Sequence, residues 1–411
     1  MSTFECSVVR VTIVPHPNAD AIEIAQIGGY QAIVQKGRFA PNELAVYVPE
    51  AAVLPYSILK DMGFWDAMNN KGTLSTSAGN RVKAIRLRGV LSQGILIKGL
   101  AFVGGDHVML SSSYGVEVTD THPTVMMKQF AEGDNVAEFL GITKWEPAIP
   151  KHMQGKVAGG DLYATIGYDF EALKKHPTLF DDGQLVSITE KLHGTLLQVG
   201  IIPRRIWEGK PWAEKCPDIG TAGFKGIVTS KGQGKNGLML DPNDDSNLYV
   251  DTAKRFNLWE KLELARTQVL GHPDDMPLFI FGETFGVQRT EGGPKGIQDL
   301  TYGQDEVAFM AFDLYAGQRD NGFYLVDQLF WQVCSQADIP TVPELYRGPF
   351  SQAVVAQHTD GNTTLTAKKH IREGVVIKAI DGVRHPTYGR RVAKSVSGDY
   401  LTRKGETSEF S

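Results

Sequence analysis

The stretch Ser187-Ile-Thr-Glu190-Lys191-Leu-His193-Gly194-Thr195 places a lysine at the end of an apolar, β-branched run, with an imidazole two residues on and then a glycine. A primary amine in that setting is a candidate nucleophile, because a nearby cation or desolvation can strip its proton. The side chain at 193 could meet a phosphate or a metal's water shell. Alone the motif is weak, since composition supplies a Lys-x-[Asp/His]-Gly match in roughly one chain of this length in ten. Its weight comes from an ordered series downstream. Thr229-Ser-Lys231-Gly232 is a turn rich in glycine and lysine. Phe279-Ile-Phe-Gly-Glu283-Thr-Phe-Gly286 and Phe309-Met-Ala-Phe312-Asp313-Leu-Tyr315 are apolar strands carrying single acids. Glu373-Gly-Val-Val-Ile-Lys378 repeats the theme, and Arg390-Arg391-Val-Ala-Lys394-Ser395 ends the series with positive charge. A glutamate beside glycine in an apolar strand is costly to bury unless paired or metal-bound. Two of them, with lysines on neighbouring strands, predict a converging polar cleft.

The elements that must position these residues read as α+β. From Leu185 onward strands alternate with helical stretches, and apolar spacing predicts helices over Phe256–Arg266 and Tyr324–Cys334. The first third reads as β structure. Val9, Val11 and Ile13 alternate, and Tyr30–Gln35 and Leu44–Pro49 are strand-like runs between turn formers. The basic strand from Arg81 runs into a turn at Gly94, and a solvated face explains its charge as well as nucleic acid does. A helix is expected around Pro123–Leu140. Proline and then glycine enrichment over Lys144–Gly160 marks a connection between domains. The expected organisation is a β-barrel domain with an extension over 1–143, a linker over 144–178 and an α+β domain over 179–411, whose tail from Lys404 is loosely held.

Length and composition bound what these elements can do. A chain of 411 residues with 42% hydrophobic and 22% charged residues can bury two or three cores. A net charge of -5 argues against a uniformly basic nucleic-acid binder but leaves room for local patches. Three scattered cysteines suit free thiols in a reducing cytoplasm better than disulfides or structural zinc. No apolar run approaches the ~18 residues of a membrane span, and the N-terminus has no leader pattern, so the expectation is an untargeted cytoplasmic protein.

His16-Pro-Asn-Ala-Asp20, Gly28-Gly-Tyr-Gln31 and Arg86-Leu-Arg-Gly-Val-Leu-Ser-Gln-Gly94 resemble, in that order, the OB-fold tRNA-binding domains attached to some aminoacyl-tRNA synthetases. The resemblance covers roughly residues 5–100 and implies a barrel that meets nucleic acid through a positive groove and stacking aromatics. The same His-Pro-Asn-Ala-Asp run also reads as a turn rich in turn formers.

The downstream series resembles motifs I, Ia, III, IIIa, IV and V of the covalent nucleotidyltransferases, which comprise ATP-dependent DNA and RNA ligases and mRNA capping enzymes. With an OB-like domain in front, the chain is most similar to the RNA ligases of the Deinococcus and Naegleria type. The resemblance implies a ligase domain of antiparallel sheets flanked by helices, ATP-grasp-like in kind, with ATP and Mg²⁺ or Mn²⁺ as cofactors. It makes Lys191 the nucleophile that becomes lysyl-AMP. Glu190, His193 and Gly194 line the nucleotide, Phe312 stacks on adenine, and Lys231, Lys378 and Lys394 bind phosphate. Glu283 and Glu373 serve the metal or the ribose, and Asp313 is a further metal candidate. The implied substrate is RNA with 5′-phosphate and 3′-hydroxyl ends, a nicked duplex being one form of it, as in RNA repair; no membrane and no obligate protein partner are implied.

Two positions depart from the pattern. Residue 193 is His where most of the superfamily has Asp, and it adds no negative charge when neutral. Val392 stands where many relatives have a second late lysine, leaving Arg390 or Arg391 to replace it. DNA ligase, a GTP-using capping enzyme and a non-catalytic RNA-binding protein with a nucleotidyltransferase shell remain alternatives. The N-terminal place of the OB-like domain counts against the first, and intact Lys191, Glu283 and Glu373 against the last.

Overall fold

The computed structural model describes residues 4–101, 107–111, 127–146, 154–220, 223–270, 276–290, 292–367 and 370–403. Residues 123–126 of the expected helix, 147–153 of the expected connection and the 404–411 tail lie outside the described residues. The chain divides into two compact units. One is formed by Ala148–Leu173 and Thr178–Ser397, the other by Ser2–Pro147 with Lys174–Pro177 and Gly398–Ser411.

In the N-terminal unit, Leu44–Val48 is buried at every residue, as an unbroken apolar run should be. It lies between Ser7–Arg10 and Ile95–Lys98, antiparallel to both. Val46 and Val48 enter one core with Val8 and Ile97, while Ala45 and Tyr47 enter a second with Val11, Ala25 and Ala32. A three-stranded meander, Thr12–Pro15, Ile22–Ile27 and Tyr30–Gln35, supplies that second core. The Arg81–Gly94 stretch resolves into the hairpin Ile85–Leu87 and Val90–Ser92. Within the expected Pro123–Leu140 helix, Met127–Ala131 is instead a strand paired with His107–Ser111. That pairing carries Phe130 into the core, and tertiary contact overrides the local helical preference of Met, Lys and Gln.

The larger unit is built on two antiparallel sheets. Four strands run in the order Glu344–Pro349, Leu185–Lys191, Gly374–Ala379, Val392–Val396. The larger sheet includes Phe224–Ser230, Thr195–Pro203, Leu278–Thr290 and Val307–Ala316 in that spatial order. Helices Leu248–Arg255, Leu258–Leu264 and Asp327–Gln336 pack on the outer face of the larger sheet through Leu248, Leu258, Leu262, Phe330 and Val333. The first is capped by Asn247, whose side chain accepts from the backbone N–H of Tyr249 and Val250. The expected helices at Phe256 and Tyr324 therefore form, each beginning two or three residues later. Val157–Gly160, in the stretch read as a connection, pairs with Leu238–Leu240, and Ala164, Ile166 and Tyr168 are buried in this unit.

Candidate active site

Lys191 closes one sheet and Thr195 opens the other, so Leu192-His193-Gly194 is the corner by which the chain passes between them. This corner sets the lysine where the two sheets meet. In its strand, Val186 and Ile188 enter the apolar core with Val375, Ile377 and Ala393, so Ser187, Thr189 and Lys191 must face the other way. Directly opposed residues share a face. Lys191 pairs with Gly374, Thr189 with Val376 and through it Lys394, and Ser187 with Lys378. Lys191, Lys394 and Lys378 thus stand on successive rungs of one face.

The two glycines beside these charged residues are structurally required. A Cβ at Gly194 would lie 2.3 Å from the Thr284 carbonyl oxygen and 3.0 Å from Glu283 Cγ. The corner is thereby pressed against the Glu283 strand. Gly374 has φ +152° and would bring a Cβ within 2.2 Å of the Ser395 carbonyl oxygen, a conformation open essentially to glycine.

Lys191 Nζ donates to Glu373 Oε1 at 2.6 Å, with the glutamate side chain fully buried and the lysine 15% exposed. His193 is buried. Its Nε2 lies 2.5 Å from Asp299 Oδ1, its Nδ1 3.8 Å from Glu373 Oε2, and its backbone N–H donates to Tyr302 Oη at 2.6 Å. Glu283, half-buried on the larger sheet, is in register with Leu196 and Met310. The pKa of the Tyr249 hydroxyl is pushed up to about 12 by burial; the hydrogen bond with Thr195 lowers it and the Glu283 charge raises it. Lys231 follows Ser230, which is level with Leu197 and Gly282, so it stands at the Glu283 end of that sheet. It is exposed and 3.3 Å from Asp169.

Phe312 is the extra residue at the irregularity where register slips between Phe281/Asp313 and Gly282/Ala311. Its ring centroid is 5.2 Å from Tyr168, which stacks on Phe281 at 4.8 Å. Lys378 Nζ donates to the Phe312 carbonyl and lies 3.2 Å from Asp313. Asp313 is buried, and its oxygens also take Arg390 at 2.7 Å and the Tyr168 hydroxyl at 2.8 Å. Both oxygens are engaged in this cluster. Lys378 is four residues along its strand from the rung of Lys191, roughly 13 Å at strand rise, so Asp313 is not brought together with Glu373. Arg391 turns away to Asp181 and Gln184, leaving Arg390 as the late arginine that joins Asp313.

Glu190 also points away. It lies on the opposite face from Lys191, where its Oε2 accepts from the Thr364 N–H and Oγ1 at 3.0 Å. The corner therefore brings together Lys191, His193, Gly194, Glu283 and Glu373. Lys394 and Lys378 lie further along the face of Lys191, where Lys378 meets the Phe312 carbonyl and shares Asp313 with Arg390. Asp299, Tyr302 and Tyr168 carry no local motif. Arg390 was legible only as half of an arginine pair.

Among the described residues no group of three or more His, Cys, Asp and Glu side chains forms a metal cage. Glu283 and Glu373 offer separate carboxylates at the lysine. That limited donor set suits Mg²⁺, which usually keeps water and completes its shell with substrate phosphates.

The RNA ligase family model matches residues 184–396, and a family model for an OB-fold domain matches residues 6–98. No protein in the curated set matches the chain. Among solved structures, the RNA ligase of Naegleria gruberi in an apo form is 21% identical with a TM-score of 0.66, over 98% of each chain. A structure of that ligase with ATP and Mn is 21% identical with a TM-score of 0.65, over 96% of this chain and 98% of that one. Its structure with PPi is 22% identical with a TM-score of 0.65, over 97% and 98%. At this identity the likeness establishes a shared fold.

Proposed function

This chain belongs to the RNA ligase family, and on that premise we propose that it is an ATP-dependent RNA ligase in which Lys191 is the nucleophile. The observation that carries the assignment is the contact of Lys191 Nζ with Glu373 Oε1 at the corner between the sheets. An amine attacks only after losing its proton, and this carboxylate is an acceptor at 2.6 Å. The deprotonated Nζ attacks the α-phosphorus of ATP. A P–N bond forms, the bond to the bridging oxygen breaks, and pyrophosphate leaves with the electron pair. The 5′-phosphate of RNA then displaces Lys191 from the adenylate to give RNA-adenylate. A 3′-hydroxyl attacks that 5′-phosphorus, loses its proton and expels AMP.

The remaining side chains are assigned by position. Phe312, backed by Tyr168, offers a ring face to adenine. Lys394, Lys378 and the exposed Lys231 bring positive charge toward phosphate. Glu283 and Glu373 would hold Mg²⁺ or Mn²⁺, which when bound offsets phosphate charge. The Naegleria ligase structure with ATP and Mn supports this choice of nucleotide and metal. RNA ends bearing 5′-phosphate and 3′-hydroxyl, including those at a duplex nick, are the substrate we assign. Three buried, unpaired cysteines support a reducing compartment, the cytoplasm. No helix among the described residues is long and apolar enough to cross a membrane.

Incubating the chain with α-labelled ATP and Mg²⁺ should give a labelled protein whose P–N bond is labile to acid and stable to alkali, and Lys191→Ala should abolish the label. A label that survives in K191A refutes the assignment of the nucleophile. Label taken only from GTP would point to capping chemistry.

A further inference from the structure

His193 stands where most of the superfamily carries a carboxylate, and the fold supplies one from elsewhere. Asp299 Oδ1 is 2.5 Å from His193 Nε2, and Glu373 Oε2 is 3.8 Å from Nδ1. The other oxygen of Glu373 takes Lys191 Nζ at 2.6 Å. Asp299, His193, Glu373 and Lys191 therefore form a line running from the surface, where Asp299 is 41% exposed, to the amine.

The loop that delivers Asp299 is firmly seated. It follows the strand Gly293–Gly296 and is pinned by Ile297 in the core of the larger sheet and by Leu300 and Tyr302 around Leu192 and Phe285. Tyr302 has φ +54°, an uncommon conformation for a bulky aromatic residue. Its ring is held edge-on to Phe285 at 5.5 Å and lies 4.9 Å from His370. The hydroxyl of this strained residue accepts from the His193 backbone N–H. One loop thus grips His193 twice, by the ring through Asp299 and by the backbone through Tyr302. Backbone strain persists only where its surroundings over-determine it, and it concentrates at functional sites.

We propose that Asp299 is a positioning residue for adenylate transfer to Lys191, and that the Asp299–His193 pair replaces the single carboxylate found at this corner in related enzymes. A neutral imidazole brings no charge, and an unheld ring can rotate. A carboxylate accepting from Nε2–H restores one negative charge to the corner and fixes which nitrogen faces Glu373. The inference rests on the ligase reading of Lys191.

The test uses the full-length chain and single-turnover label transfer from ATP. Asp299→Asn should slow adduct formation about 10–100-fold, the usual cost of losing a carboxylate behind a site histidine. Apparent ATP affinity and melting temperature should stay close to wild type, and Asp299→Glu should recover part of the rate. In a His193→Asp background the carboxylate is already at the corner, so adding D299N should change the rate less than about twofold. D299N at wild-type rate overturns the proposal, as does a D299N loss that is equally large in H193D. A wild-type chain that forms no adduct defeats the ligase reading instead. The imidazole ¹H–¹⁵N spectrum of the nucleotide-free protein then decides separately: a His193 Nε2–H signal unchanged in D299N overturns the pairing itself.

Discussion

Asp313→Asn should be among the most destabilising single changes in the larger unit, although it preserves shape. Asp313 is 1% exposed. Its carboxylate meets Arg390 at 2.7 and 2.9 Å and Lys378 at 3.2 Å, and accepts from Tyr168 at 2.8 Å. Asparagine keeps one acceptor but turns an NH₂ toward cations, leaving two half-buried positive groups uncompensated. Removing one partner of such a buried group costs about 3–5 kcal/mol. In a unit of this size each kcal/mol shifts Tm by roughly 2–4 °C, so D313N should melt about 6–20 °C lower. The pH dependence gives a second check. Burial alone pushes the Asp313 carboxyl up, but Arg390, Lys378 and the Tyr168 hydroxyl outweigh it and hold it below its ordinary value of 3.8. A carboxyl depressed in the folded state stabilises fully above the unfolded value and loses that contribution as pH falls through the folded one. The gap between wild type and D313N should be constant from neutral pH to about 4 and shrink at more acidic pH. Thermal unfolding followed by near-ultraviolet circular dichroism measures both. A gap under about 1 kcal/mol at pH 7, or one that widens on acidification, refutes the reasoning.

Gly194→Ala puts a methyl group against the Thr284 carbonyl and the Glu283 stem. Since a displacement near 1 Å can cost on the order of 100-fold, adduct formation should fall by about that factor; wild-type rates in G194A would show that the corner tolerates the shift. In the N-terminal unit His16 ties two turns together. Its Nε2–H donates to the Leu87 carbonyl and its Nδ1 accepts from the Asn18 N–H. His16→Ala should cost about 1–3 kcal/mol in urea unfolding by leaving these groups unpaired, and an unchanged midpoint would mean that water replaces the ring.

The OB-like motif residues illustrate how far local sequence reaches. His16, Asn18, Gln31 and Ser92 are named by the resemblance, and each bonds backbone in a neighbouring turn or strand: His16 to Leu87, Asn18 to Arg88, Gln31 to Leu91 and Ser92 to Ile33. The reading of His-Pro-Asn-Ala-Asp as a turn therefore describes His16 and Asn18 well. Their side chains staple the barrel together and are committed to it.

In the larger unit, residue order alone picked out the strands that hold the candidate residues. Alternation told which side of each strand is apolar, so the face of Lys191, Lys378 and Lys394 was implicit in Val186, Ile188, Val375 and Ile377. Gly194 and Gly374 were likewise visible beside the charged residues, because close backbone approach and positive φ select glycine. Alternation also placed Glu190 one residue from Lys191 and hence on the opposite face. Partnership was not visible. Asp299 and Tyr302 reach His193 across more than 100 residues, and the choice of Arg390 over Arg391 depends on where a hairpin turns. Asp313, Lys378, Arg390 and Tyr168 form one buried cluster from four separate stretches. Strand periodicity is a property of a few consecutive residues, whereas register and sheet-to-sheet packing are set by contacts between distant ones. The sequence thus put forward a lysine and two glutamates as candidates, and only the tertiary structure placed an aspartate from another loop against the histidine beside that lysine.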